Sequence, residues 1–455
     1  MSQFSKTTLF YKILRVYTNF AYSRWFSSCE INGVGNIPEG EPVIFAPNHQ
    51  NAFVDAMALL FSSPQPVVFW VRADLFQNKL IDKILRALKM MPAYRMRNGV
   101  SNLKKNEESL RDSVDVLTHD QFLCLMPEGG QEEKRRLRPL VKGIFRTAFA
   151  AQEQLSDRWV KIVPVGIDYG HYDRSGRHLV LSFGRPLNIK DYYEQYQQDA
   201  PHAMNAIRKD LSEKIAPLML DIQSEKYYET FYTAAYLYNE QMLDRLGLED
   251  NQTNRLIARQ KIVSLLGEAE AAGDETLESL SMACEAWRGK SDDVAFRAVT
   301  SEVSGVDVDL VTKILYLLVT IPLFLYGLIV NFFPFMISKL LGARAHGSGF
   351  ESSLKLGSAM LFTPIFYVIE TILFPTLFPV LMRTMYGIPY EADTMTVVAF
   401  FFTLPISYFF MLRYRWKFQY VKERLRGFFD KASVMTRENA VSLIHNLVSK
   451  YMPHK

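Results

Sequence analysis

The residues best suited to chemistry stand together in Pro47-Asn48-His49-Gln50-Asn51-Ala52-Phe53-Val54-Asp55, just past the apolar run Pro42 to Ala46. A neutral imidazole can take the proton of a hydroxyl as that hydroxyl attacks a thioester, and a carboxylate behind it would fix the ring's tautomer and stabilise the imidazolium. On one continuous helix, a six-residue separation would turn His49 and Asp55 about 240° apart. They can meet only if His49 lies in the loop and Asp55 early in the helix, with Asn51 as a plausible N-cap. Taken alone, a surface His and a capping Asp are the commoner explanation of such a pair.

Three further segments bear on the same chemistry. In Pro92-Ala93-Tyr94-Arg95-Met96-Arg97-Asn98-Gly99, Arg95 and Arg97 share a face if the piece is extended, and paired guanidinium forks suit a phosphate; two solvated loop arginines are the bland alternative. The run Phe122 to Met126 enters Pro127-Glu128-Gly129-Gly130-Gln131, where Gly129 and Gly130 let backbone amides approach an anion, although the same residues also make an ordinary turn. Lys134, Arg135, Arg136, Arg138, Lys142 and Arg146 follow within 13 residues and add positive potential beside that turn. Last comes Ile162-Val163-Pro164-Val165-Gly166-Ile167, a buried-looking strand whose Pro164 removes a ladder donor.

Elements that could position these residues are legible in the hydrophobic pattern. Pro42 to Ala46, Val67 to Val71, Phe122 to Met126, Ile162 to Ile167 and His178 to Phe183 are the expected strands. Asp55 to Phe61, Lys79 to Lys89, Leu103 to Thr118 and Lys142 to Leu155 are the expected helices between them. The alternation indicates an α/β domain with a mixed sheet flanked by helices, over residues 30–188. Ahead of it, residues 1–29 read as a basic amphipathic helix with Leu9, Phe10, Ile13, Leu14, Tyr17, Phe20 and Ala21 at helical spacing, fit either for a membrane interface or for packing on its own domain. Residues 189–307 form a polar helical connector or accessory region.

The 455 residues carry 52 Lys+Arg against 48 Asp+Glu, and the 49% hydrophobic content is unevenly spread. Ile314 to Ile337, Leu356 to Met382 and Thr394 to Leu412 are each long enough to cross roughly 30 Å of hydrocarbon, with Glu370 the one charge inside them. Residues 308–413 are therefore expected to be a hydrophobic membrane domain, and 414–455 a basic cytoplasmic tail. Lys339, Arg344 and Lys355 in the first loop, with Arg413, Arg415 and Lys417 at the tail, place both inside. Three full crossings would then put residues 1–313 outside, away from a cytosolic activated substrate, so one segment is expected not to be a simple span. Pro322, Asn331 and Pro334 mark the first as the exception, or Glu370, Pro375 and Pro379 mark the second.

Other chemistries find little here. Cys29, Cys124 and Cys284 are far apart with no C-x-x-C, so neither a disulfide framework nor a zinc site is expected, and a reducing compartment is the simple reading. Lys6, Lys12, Arg15 and Arg24 interrupt the N-terminal segment and argue against a cleaved signal. The chain has no P-loop, no G-x-S-x-G and no H-E-x-x-H, and Gly33-Val34-Gly35 lacks the third glycine of a dinucleotide fingerprint. Aromatics do not interleave the basic cluster, so nucleic acid is not an expected partner.

Asn-His-x5-Asp, an Arg-bearing segment, Pro-Glu-Gly followed by Lys142-Gly143, and Val-Pro-Val-Gly occur in an order that resembles the glycerol-phosphate and lysophosphatidate acyltransferase superfamily, over roughly Glu30 to Leu187. The resemblance implies that His49 is the general base on the acceptor hydroxyl, that Asp55 is its partner, and that attack is direct, without an acyl-enzyme. It implies that Arg95 or Arg97, with Glu128 and Gly129, binds the glycerol phosphate, and that Pro164 lies on the acyl-donor side; Gly130, Arg138 and Lys142 join the substrate-binding set through the anion argument above. The family's usual His-to-Asp spacing is one residue shorter, and the longer form resembles the branch of fungal-type glycerol-3-phosphate and dihydroxyacetone-phosphate acyltransferases. Met-Pro-Glu-Gly-Gly also replaces Phe-Pro-Glu-Gly-Thr-Arg, so Arg135, Arg136 or Arg138 is expected to stand in for the Arg missing at position 131.

The expected activity is transfer of a fatty acyl group from acyl-CoA or acyl-carrier protein to glycerol 3-phosphate or a close phosphorylated acceptor. No cofactor or metal is expected, and the active site should face the cytoplasm at a membrane surface. Lysophosphatidate or another lysolipid is the alternative acceptor, and a non-catalytic lipid-binding or transport protein, favoured by Glu370, is the alternative class.

Overall fold

Short runs of apolar residues pair into one sheet in the computed structural model, which describes residues 4, 7–93, 101–119, 121–289, 291, 293–301 and 305–453. Among the described residues the strands are β1 (Ser28–Asn32), β2 (Val43–Pro47), β3 (Val67–Arg72), β4 (Met90–Ala93), β5 (Phe122–Cys124), β6 (Lys161–Tyr169), β7 (His178–Phe183) and β8 (Leu187–Asn188). Their order is β1-β7-β6-β2-β5-β3-β4, with β8 on β6. From β6 to β4 the neighbours run parallel, whereas β7 is antiparallel to β6 and carries β1 parallel to itself, which makes the sheet mixed.

All five residues of β2 are buried, as a central strand covered on both faces requires. On β6, Pro164 is tolerated because it lies one step past the last β6–β7 pair, Val165 with Phe183. The Gly184 amide still donates to its carbonyl (2.9 Å), and the donor that proline lacks falls where the antiparallel ladder stops.

Helices α1 (Leu9–Trp25), α2 (Ala52–Ser62), α3 (Lys79–Ala87), α4 (Ser101–Thr118) and α5 (Gly143–Gln152) alternate with the strands. Beyond β8 lie α6 (Lys190–Gln198), α7 (Ala200–Ile215), α8 (Tyr228–Leu237), α9 (Asn239–Leu246) and α10 (Gln252–Ala271). Phe145 and Phe149 of α5 pack with Val114 and Leu117 of α4 and with Ile207 and Leu211 of α7 in one hydrophobic core. The helical stretch returns to the sheet: Glu30 of β1 accepts the amides of Gln252 (2.9 Å) and Thr253 (2.8 Å) and so caps α10.

The chain divides into two compact units: Met1–Tyr172, Arg177–Ser281 and Leu443–Lys455 form one, and Asp173–Gly176 with Met282–Ser442 the other. In the second, Glu351–Tyr386 and Thr394–Gly427 are helices long and apolar enough to cross a membrane. The first apolar segment is not a straight span: Val308–Val319 and Ile321–Val330 meet at 59°, and a further helix, Phe332–Arg344, begins after Asn331. Pro322 sits in the first turn of its helix, where its missing N–H costs nothing. Asn331, fully buried at the next break, donates to Gly327 O (2.8 Å) and Ser407 Oγ (2.9 Å) and accepts from Tyr367 (2.8 Å), which satisfies the interruption from neighbouring helices. The alternative break at Glu370, Pro375 and Pro379 does not occur, since Glu351–Tyr386 runs unbroken through Pro364, Pro375 and Pro379.

Candidate active site

The Asn48 amide still donates to Val165 O (3.2 Å), and the Asn48 side chain extends the pairing with β6 by one more residue. Its Oδ1 accepts from Ile167 N (2.7 Å) and its Nδ2 donates to Ile167 O (3.0 Å), as a strand residue would. His49 is thereby delivered into the loop at the carboxyl end of the central strands, where open α/β sheets place their sites. The chain then turns sharply through Ala52, which has a left-handed φ of 43° at the start of α2. Asp55, on the first turn of α2, is fully buried.

The Asp55 carboxylate gathers four donors. Oδ2 takes His49 Nδ1 (2.9 Å), Gln50 N (2.9 Å) and Asn51 N (2.8 Å), and Oδ1 takes the Tyr169 hydroxyl (2.8 Å). The expected meeting of a loop His with an early-helix Asp is what the backbone makes. The helix cap differs: Asn51 occupies the N-cap position without a side-chain cap bond, and its amide donates instead to Tyr172 O (3.0 Å). The carboxylate of Asp55 serves the orphan amides because it reaches back over them. Since a carboxylate only accepts, Nδ1 of His49 carries the hydrogen, and Nε2 keeps its lone pair for a substrate proton.

Glu128 holds this turn against its neighbours. Its Oε1 accepts from His49 N (2.7 Å) and its Oε2 from Arg138 N (3.1 Å), joining the loops after β2 and β5 and the approach to α5. Burial pushes its carboxyl up to about 7, against the opposing pull of the two amides. Gly129 follows at φ +66°, and a side chain there would meet Val141 at 3.0 Å. The Arg138 guanidinium lies beside Gly130, 3.2 Å from where a Cβ would stand.

The basic cluster divides by role. Arg135, expected among the substitutes for a missing phosphate-binding Arg, is instead buried and committed: it pairs with Asp168 (2.5 Å), donates to Tyr169 O, and lies over Tyr172, Tyr232 and Tyr236 at 5.3 to 5.6 Å. Arg259 of α10 takes the other Asp168 oxygen (3.0 Å). Burial alone would raise the Asp168 carboxyl, but the two guanidiniums hold it well below the usual carboxylate range. Arg136 faces Glu225 at 3.6 Å, leaving Arg138 as the guanidinium at the glycine turn. Lys142 is exposed at the start of α5. Pro164 is buried in the sheet opposite Ala46, with its ring against Gly184. Arg95 and Arg97 lie outside the described residues.

Tyr169 and Tyr172, whose hydroxyl donates to Gln50 Oε1 (2.8 Å), have no part in the sequence reading, and Asn48 enters it only as a member of the Asn-His-x5-Asp motif. The polar ending Asp168-Tyr169 on the otherwise apolar β6 was the signal that could have found Tyr169.

A His with a buried carboxylate behind it, at the carboxyl edge of a mixed α/β sheet, is an arrangement able to take a proton from a hydroxyl. Residues 28–168 match the family model for Acyltransferase, and this stretch is an acyltransferase-family domain. The chain is 26% identical over 135 residues to glycerol-3-phosphate O-acyltransferase 1 of Saccharomyces cerevisiae, covering 29% of this chain and 18% of that protein. It is 27% identical over 96 residues to glycerol-3-phosphate O-acyltransferase 2 of the same yeast (21% and 13%), and 34% identical over 76 residues to an uncharacterized acyltransferase of Schizosaccharomyces pombe (16% and 11%). The matched stretches thus span less than a fifth of each relative's length. Among solved structures, the 1-acyl-sn-glycerophosphate acyltransferase PlsC of Thermotoga maritima is similar with a TM-score of 0.34 and 18% identity, over 45% of this chain and 78% of that one.

Proposed function

We propose that the protein is a membrane-associated O-acyltransferase that moves a fatty acyl group from acyl-CoA or acyl-carrier protein to a hydroxyl of glycerol 3-phosphate. The observation that carries this reading is the His49 Nδ1 to Asp55 Oδ2 bond of 2.9 Å, which leaves Nε2 as the base. The named activity of the two yeast relatives supports the choice of acceptor.

In this reading Nε2 accepts the proton of the acceptor hydroxyl as its oxygen attacks the thioester carbonyl. The new C–O bond forms, the C–S bond breaks, and the departing thiolate takes the proton back from the imidazolium. Asp55 stabilises the imidazolium while it lasts. Arg138 and the amides at Gly129 and Gly130 receive the phosphate, together with Arg95 or Arg97 and with Lys142 adding to the field. Glu128 sets the turn that holds His49, Pro164 flanks the donor side, and the thioester needs no metal or cofactor for activation. The site faces the cytoplasm, where the activated donors are.

The test is acyl transfer by membranes containing the protein, with acyl-CoA or acyl-carrier protein as donor. Glycerol 3-phosphate, dihydroxyacetone phosphate and lysophosphatidate serve as acceptors, with wild type beside His49→Ala. Turnover of glycerol 3-phosphate that His49→Ala loses by three or more powers of ten supports the reading. Turnover only with lysophosphatidate moves the acceptor, and turnover that survives His49→Ala overturns the mechanism.

A further inference from the structure

A helix on the surface of a water-soluble domain turns its apolar stripe inward. Helix α1 does the reverse. Leu9, Phe10, Ile13, Val16 and Phe20 all face out, between 47 and 73% exposed, while Tyr11 and Tyr22 face in. The inward side is firmly seated, with the Tyr22 hydroxyl on Val54 O (3.2 Å) and its ring against Phe26 and Phe61. Helix α3 repeats the inversion: Leu80, Ile81 and Ile84 are 45 to 67% exposed, with Leu75 just before them at 51%.

The two helices are joined near their ends. Lys89, at the corner where α3 enters β4, has a left-handed φ of 59°, donates to Phe4 O (2.5 Å) and Gln121 Oε1 (3.0 Å), and sits over the Tyr11 ring at 5.6 Å. Arg86 of α3 lies over the rings of Phe4 (6.0 Å) and Phe76 (5.7 Å). The start of α1 and the end of α3 are thus tied together, and we take their outward apolar residues as one surface on that ground.

We infer that this surface docks on an anionic bilayer, with α3 and Leu75 as a second lipid-contacting element beside α1. Charge decides the occupant. Helix α1 carries Lys12, Arg15 and Arg24 with no acidic residue, and on the helical wheel Lys12 borders its apolar stripe while Arg24 falls between Ile13 and Phe10. Helix α3 carries Lys79, Lys83 and Arg86 against Asp82 alone. Acidic headgroups complement both helices, whereas a second copy would set Lys12 and Arg24 against their own kind. A bilayer is also at hand, since the same chain carries helices of membrane-crossing length. The inference goes beyond acyl transfer and does not depend on the acceptor.

The test uses the full-length protein reconstituted in nanodiscs of phosphatidylcholine alone or with phosphatidylglycerol. An environment-sensitive dye is placed at Ile81→Cys, at Val16→Cys, or at the exposed control Glu194→Cys on α6. Cys124 and Cys284 are buried, so Cys29→Ser clears the background. Blue-shifted emission at positions 81 and 16, quenched several-fold more by lipid-borne nitroxide than by iodide and more strongly in the anionic discs, is expected. At position 194 the reverse preference is expected. Ile84→Glu should weaken lipid quenching at position 16 as well as on its own helix. Iodide quenching at 81 equal to that at 194 in both lipids overturns the proposal. So does a blue shift that persists in lipid-free amphipol and grows with protein concentration, which would assign the face to a second copy.

Discussion

Glu128→Gln separates what the buried carboxylate does for the fold from what it does for the site. In the native protein the carboxyl is displaced from its ordinary value of 4.5 to about 7, chiefly by burial. The folded state therefore holds a proton that the unfolded chain has already released between those two values, so stability falls as pH rises through that window and levels off above it. A displacement of that size is worth up to about 3 kcal/mol, on the order of 5 to 10 °C in Tm for a unit this large. A glutamine has no proton to release. Below pH 4.5 the protonated wild type and the variant should melt together, and by pH 8 the variant should gain on wild type by several degrees. Intrinsic tryptophan fluorescence of the detergent-solubilised proteins, scanned between pH 4.5 and 8, measures the difference. The carboxamide oxygen can still accept from His49 N, so activity should survive at a reduced level. Parallel Tm profiles for the two proteins would refute the reasoning, because they would mean that Glu128 is already ionised at the acid end and that its burial carries no charge penalty.

Tyr169→Phe removes the donor on Asp55 Oδ1 while keeping the ring that packs on Phe26. A hydrogen bond to a charged group contributes about 1.5 to 3 kcal/mol, so kcat should fall about tenfold or more with both KM values unchanged. In an Asp55→Asn background the same substitution should add little, and a full additive loss there would show that Tyr169 does not act through the carboxylate. Asp168→Asn should act on stability instead of chemistry, since it strands Arg135 and Arg259; a loss of about 3 to 5 kcal/mol in denaturant unfolding is expected, with the KM of any folded remainder unchanged.

How far the sequence carries can be judged from particular residues. The all-apolar β2 and the His49-to-Asp55 interval were enough to place a strand, a loop residue and an early-helix residue, because each depends on local spacing. Strands β1 and β4 were not legible: Ser28-Cys29-Glu30-Ile31-Asn32 is neither apolar throughout nor cleanly alternating, and it is held in the sheet by pairing with β7, far along the chain. Which of Arg135, Arg136 and Arg138 is buried is not legible in the sequence for a related reason, and Arg135 is the one. Its partners Asp168 and Arg259 are brought to it by β6 and α10, and nothing within the basic cluster distinguishes a buried guanidinium from a solvated one. The first apolar segment did carry its own warning in Pro322 and Asn331, whereas the prolines of Glu351–Tyr386 were absorbed without a break.

One carboxylate both orders the imidazole and closes the first turn of α2, so the two cannot be lost separately. If that turn frays, the amides of Gln50 and Asn51 let go of Asp55 and the ring loses its orientation in the same event. Under the proposed mechanism, local melting of a single helical turn would therefore switch off His49 as the base. On warming, turnover should cease at a temperature where the sheet is still intact.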